Sequence, residues 1–150
     1  MKKILLLSAL LIFACSGDDS NDNNDDYNQN FLQKYDGVTW KDAYYDPDDS
    51  WEYYISFSPN GFNECEGYQG DYNGYSYTWG EDEDGWTHTV IENSAERFVT
   101  ETIDVDDDGE VYTYITTTEA TNNGNSLVVT YSDDEGYIEN FDRVSSNPCN

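Results

Sequence analysis

Asp104, Asp106 and Asp108 alternate along the stretch DVDDDGEVY, and Gly109 follows them. This spacing puts carboxylates at positions 1, 3 and 5 and a glycine at position 6 of a calcium-binding loop, where a hard cation takes oxygen ligands. Ile115 falls at position 12, where such a loop carries a bidentate glutamate. Calcium at these three aspartates is therefore expected to bind weakly, at about 10⁻⁴ to 10⁻³ M. An acidic hairpin turn built on the same Asp-Gly pair is the competing reading. His88, the single histidine, lies in WTHTV on a predicted strand and is expected to be half-exposed. No serine–histidine–aspartate set or multi-histidine metal set surrounds it in the sequence. With 32 acidic residues, no carboxylate pair stands out as a glycosidase-type dyad. No catalytic residue is assigned, no cofactor is required, and the chain is read as a non-enzyme.

Three cysteines carry the remaining chemistry. Lys2 and Lys3 form a basic start, Ile4 to Phe13 an apolar run broken only by Ser8, and Ala14 a small residue before Cys15. The pattern is that of a secretory signal, and the run is too short to span a bilayer. Ile12-Phe13-Ala14-Cys15 resembles the lipobox of bacterial lipoproteins, in which the cysteine sulfur is acylated and becomes the new N-terminus. Several acyl chains anchor a protein stably where one binds only marginally. The Ser16-Gly17-Asp18-Asp19 that follows resembles the surface-export signal of Bacteroidota outer-membrane lipoproteins. The resemblance implies a signal peptide over 1–14, lipidation of Cys15, and a protein anchored in the outer membrane and facing outward. Residues 15–30 read as an acidic disordered tether. Positions 16 to 30 hold five Asp and five Asn and no basic residue, too little apolar surface to fold. Fully extended, they reach at most about 50 Å.

With Cys15 assigned to lipid, Cys65 and Cys149 remain, an even number in an exported chain, and they are expected to pair. Loss of the two signal lysines leaves four basic against 32 acidic groups, a net charge of −28. Such a charge repels nucleic acid and anionic lipid head groups. It admits a cation, a basic protein or a neutral ligand as partner, and it also keeps an exposed protein soluble.

The elements that must position these groups are strands. Residues 31–150 suit one domain, and from Val38 onward the chain runs in short segments rich in Tyr, Thr, Val, Ile and Trp separated by turn residues. Strands are expected near 38–45, 51–58, 62–68, 72–79, 86–92, 97–103, 110–118, 126–132 and 137–144. Trp51, Tyr53, Ile55 and Phe57 share one face of theirs, and Leu127, Val129 and Tyr131 one face of another. Asn60-Gly61, Asp84-Gly85 and Asp108-Gly109 recur every 24 residues, and Glu135-Gly136 follows after 27; such pairs favour tight hairpins. The fold expected is all-β, an antiparallel up-and-down barrel of about eight strands; a β-sandwich with Greek-key crossings is the alternative. Because alternate turns of a meander lie at one end, all four of these turns are expected on one rim. Glu81 to Asp84, Asp104, Asp106 to Asp108, Glu110 and Asp133 to Glu135 would then crowd together there.

FLQKYDGVTWK, YISFSPNGFNEC and ENFDRVSSNPC together resemble the small lipocalin-like lipoproteins of Bacteroidota. The resemblance implies a structural pair, Trp40 in the first strand and Arg143 in the last, and a tail-to-barrel disulfide between Cys149 and Cys65. It also implies a binding module holding a small apolar or glycan ligand in the barrel mouth. The alternative is an acidic interaction or inhibitor module with a filled barrel, binding a basic protein. Interior volume decides between them: if Trp40, Tyr53, Ile55, Phe57, Leu127 and Val129 close the interior, small-ligand binding loses its site. Tyr54, Tyr75, Tyr77 and Trp79 are expected outside, where rings stack on a sugar or a partner or pair across strands.

Overall fold

The computed structural model describes residues 29–43, 50–81, 85–132 and 136–149. Alternation of apolar and polar residues builds one antiparallel sheet: β1 Thr39–Asp42, β2 Trp51–Ser58, β3 Gly61–Tyr68, β4 Asp71–Thr78, β5 Gly80–Glu81, β6 Thr87–Asn93, β7 Arg97–Val105, β8 Val111–Thr121, β9 Ser126–Tyr131 and β10 Ile138–Val144. Each strand pairs with the next except β4 with β5, and β1 pairs with both β2 and β10. The result is an up-and-down barrel, closed by hydrogen bonds between the first and last strands and open along one seam between β4 and β5. No long crossover interrupts the meander, so the sandwich alternative does not hold.

One end is plugged by a short helix, α1 (Phe31–Lys34). Asn30 caps it: its side chain accepts from Gln33 N–H at 3.0 Å and Gln33 reaches back to Asn30 N–H at 3.2 Å, a reciprocal capping box. A four-residue helix has no stability of its own; burial of Phe31 and Leu32 and of the following Tyr35 holds it. Phe31 stacks on Phe98 and meets Phe57 edge-on, and Trp40, Leu127 and Phe141 complete the core at this end. Trp40, Tyr53, Ile55, Phe57, Leu127 and Val129 are all buried or packed against this core.

The short β5 changes the expected arrangement of turns. β4 ends beside the plug, where Trp79 N–H donates to Asn60 O at 3.1 Å, and β6 also runs toward the plug, where Phe31 N–H donates to Ser94 O. β5 supplies the return leg between them. Asn60-Gly61 therefore sits at the plugged end, whereas the connections carrying Asp84, Asp108 and Glu135 leave the sheet at the open end. The four turns therefore do not share one rim, since Asp108-Gly109 lies at the end opposite Asn60-Gly61; residues 82–84 and 133–135, which carry the other two expected acidic turns, lie outside the described residues.

Cys65 and Cys149 form a disulfide, with Cα atoms 5.9 Å apart. Cys65 alternates with the inward Glu64, so the bridge lies on the outer face. The tail after β10 passes β1 and β2 to reach β3. It lies so close to β4 that a Cβ at Gly74, opposite Cys65, would come within 3.1 Å of the Cys149 Cβ. A side chain there would require the bridge to move by a few tenths of an ångström.

Candidate functional site

Above the plug the interior is not filled. A cavity of about 430 Å³ occupies the open half of the barrel. Its floor is Phe57 and Phe98. One wall is small and polar: Thr100 and Thr102 on β7 and Thr116 and Thr118 on β8 all point inward, with Thr100 directly opposite Thr116. Threonine suits a strand yet fills little space, which is why volume remains there. The facing wall is aromatic and closes the seam that hydrogen bonds leave open. Phe62 stacks on Tyr77 with centroids 4.6 Å apart and on Trp79 at 5.5 Å, and meets the His88 ring edge-on at 5.3 Å. Trp86 lies 6.3 Å from His88.

Several expected placements change here. Tyr77 and Trp79 line the cavity instead of facing outward. The reason is parity: Tyr77 pairs with Phe62 and Tyr75 with Glu64, whose side chains point in. Tyr75, on the same face but higher, is 45% exposed. Tyr54 does lie on the outer face but is buried, under Lys41 at 5.5 Å and beside Tyr72. There the Tyr54 and Tyr72 hydroxyls donate to Glu52. Lys41, followed by Tyr72, holds the Glu52 carboxyl below its usual range. His88 is not half-exposed; at 4% exposure it is part of the cavity wall, its Nδ1 hydrogen-bonded to Thr102 Oγ1 at 3.0 Å.

Glu64 brings a carboxyl to this wall. Burial pushes its pKa up, while the Tyr53 and Tyr77 hydroxyls and His88 pull it back. Burial, then Glu64, pushes Tyr77 up to about 12. Deeper along the interior Tyr131 donates to Glu139 Oε2 at 2.8 Å, and burial raises Glu139 as well. Tyr53 and Tyr131 are raised by burial and by these carboxylates.

Between the ordinary carboxyl value of 4.5 and their raised values, Glu64 and Glu139 hold more protons in the folded state than in the unfolded one. Stability therefore falls as pH rises through that window. The melting temperature should climb as pH falls through the window above 4.5, and the double variant Glu64→Gln/Glu139→Gln should flatten that climb. An equal slope in the variant would assign the effect to general repulsion among surface carboxylates. Below about 4.5 the sign reverses as Glu52 and Glu96 lose their lysine partners.

Comparison with protein-family models, with curated proteins and with solved structures found no match.

The acidic loop is built as a turn. Asp106 Oδ1 accepts from the backbone N–H of Asp108 at 3.0 Å and of Glu110 at 2.9 Å, closing the β7–β8 hairpin. Asp104 belongs to β7 and Asp108 is exposed. Among the described residues no three His, Cys, Asp or Glu side chains converge on a metal position; Asp104, Asp106 and Asp108 are not brought together. Trp40 and Arg143 face each other across β1 and β10. Trp40 is fully buried against Tyr35 and Phe57; Arg143 is exposed, its backbone N–H bonded to Asn125 O. Cys15 lies outside the described residues.

Sequence reasoning passed over Glu64 and the threonine wall, and it placed His88 half-exposed rather than in the cavity wall. The signal was present in the Thr-x-Thr pairs at 100/102 and 116/118, each of which alternation puts on one face of its own strand; the register Thr100↔Thr116 then turns both pairs to the same side.

Proposed function

We propose that this chain is a surface-exposed outer-membrane lipoprotein, anchored through Cys15, whose lipocalin-like barrel acts as a non-catalytic binding module for a small apolar or glycan ligand. The cavity supports this reading. At about 430 Å³, with an aromatic wall and a few convergent polar groups, it has the size and lining of a small-molecule site. Trp40, Tyr53, Ile55, Phe57, Leu127 and Val129 do not close the interior: Ile55, Phe57 and Val129 line the cavity.

Thr116→Phe fills the cavity from the small wall without touching the core. Small molecules extracted from wild-type protein recovered from its own surroundings should be missing from the variant, with the melting temperature within a few degrees. Identical extracts from both proteins would defeat the reading.

A basic protein partner is the second reading, favoured by the net charge of −28 that cleavage before Cys15 would leave and by exposed Val105, Val111, Tyr137 and Ile138 at the open end. It predicts a captured protein that Thr116→Phe retains. Cys15→Ala should move the protein out of the outer-membrane fraction or leave its signal uncleaved. Cleaved variant still held in the membrane would contradict the anchor.

A further inference from the structure

The cavity has a charge asymmetry that its apolar walls do not explain. Glu64 lines it, and Glu139 lies behind on the same interior, within the field of Tyr53 and Tyr131. Every lysine and arginine among the described residues is placed elsewhere. Lys34 pairs with Glu96 beside the plug and Lys41 with Glu52 on the outer face. Arg97 bridges Glu92 and Glu119, and Arg143 is exposed at the plugged end. His88 is the one basic side chain on the cavity wall. A carboxylate taken from water is costly unless a counter-charge or donors meet it. Here hydroxyls and His88 face the carboxyl, and no lysine or arginine does.

The wall beside Glu64 has the complementary property. Tyr77 and Trp86 line the cavity on either side of the His88 ring, while Phe62 is stacked on Tyr77 and Trp79; aromatic ring faces carry negative quadrupole charge. An ammonium group gains from such faces and gains more when it is desolvated, the arrangement by which aromatic cages take quaternary ammonium ions. An anionic amphiphile such as a fatty acid meets a carboxylate instead. The field of the strongly acidic chain also draws cations toward the mouth.

We propose that the cavity selects a small organic cation, an alkyl- or quaternary ammonium group on an apolar body, held between the Glu64 carboxylate and the rings of Tyr77 and Trp86. The proposal rests on the cavity being a binding site and narrows its ligand to a charge class. The threonine wall faces the remainder of the ligand and offers hydroxyls to its polar atoms.

Choline and its uncharged carbon isostere 3,3-dimethylbutan-1-ol separate charge from shape. In calorimetric titration of the full mature protein, choline should bind at least about tenfold more tightly than the alcohol, a difference of about 1.4 kcal/mol. Glu64→Gln should remove about tenfold of the choline affinity and leave the alcohol unchanged. Glu101→Gln, on the outward-facing side of β7, removes the same charge and should change neither. Equal affinities for choline and alcohol, no choline binding, or a Glu101→Gln loss as large as that of Glu64→Gln would each overturn the cation. None of these would disturb a ligand lost with Thr116→Phe, so the binding role is tested separately from its charge preference.

Discussion

Replacing both Cys65 and Cys149 with alanine should lower the melting temperature by roughly 10 to 20 °C. The bridge joins residues 84 positions apart, and loss of a closure that long costs up to about 4 to 5 kcal/mol in the chain-entropy model. Its place in the sheet adds to the effect. β10 pairs β1, β1 pairs β2, and β2 pairs β3, so a bond from the tail to β3 spans the strands that complete the barrel. With the bridge intact, β1 and β2 cannot leave the barrel without reopening a closed frame; without it, the seam at β4–β5 is joined by a second weak edge. The denaturant slope should rise as the unfolded chain expands. A shift below about 3 °C would mean that the hydrogen-bonded closure between β1 and β10 suffices alone.

The strands were legible because their signal is local. Tyr53, Ile55 and Phe57, or Leu127, Val129 and Tyr131, alternate with polar residues whatever the rest of the chain does, and Asp108-Gly109 forms its turn from its own dihedral preferences. What escaped depends on relations between elements. β5 is two residues long, made possible by Gly80 at φ +108°, and no periodicity shows in two residues. Yet it reverses the chain once more and moves Asn60-Gly61 to the opposite end from Asp108-Gly109. α1 spans one turn, too short for a 3.6-residue pattern; its trace was the Asn30–Gln33 capping pair. His88 and Tyr77 were misplaced for a different reason. A strand whose two faces both carry aromatics or polar groups, as in DYNGYSYT, does not reveal which face is inside until its neighbour's register is known. The cavity was the least legible feature, since it arises from small threonines opposite large rings on strands far apart in sequence.

Phe31→Ala should prove as damaging as loss of the disulfide, at about 3 to 5 kcal/mol, and Phe31→Leu should cost less than half as much. The ring is fully buried, stacked on Phe98 at 5.6 Å and edge-on to Phe57 at 5.7 Å. Its removal leaves a void that four helical residues held by a capping box cannot close. The consequence reaches the cavity because Phe57 and Phe98 are shared: they form its floor on one side and rest on Phe31 on the other. Taking away the plug ring lets both floor rings settle toward the helix and admits water from below. Ligand affinity should therefore fall in Phe31→Ala even though residue 31 does not line the cavity. In Phe31→Leu, which keeps most of the volume, affinity should be largely retained. Chemical denaturation of the three proteins, with small-molecule extraction from each, reads both quantities. Phe31→Ala that is destabilised yet still carries the ligand at wild-type occupancy would show that Phe57 and Phe98 hold the floor on their own, with the helix serving the stability of the barrel and not the shape of its cavity.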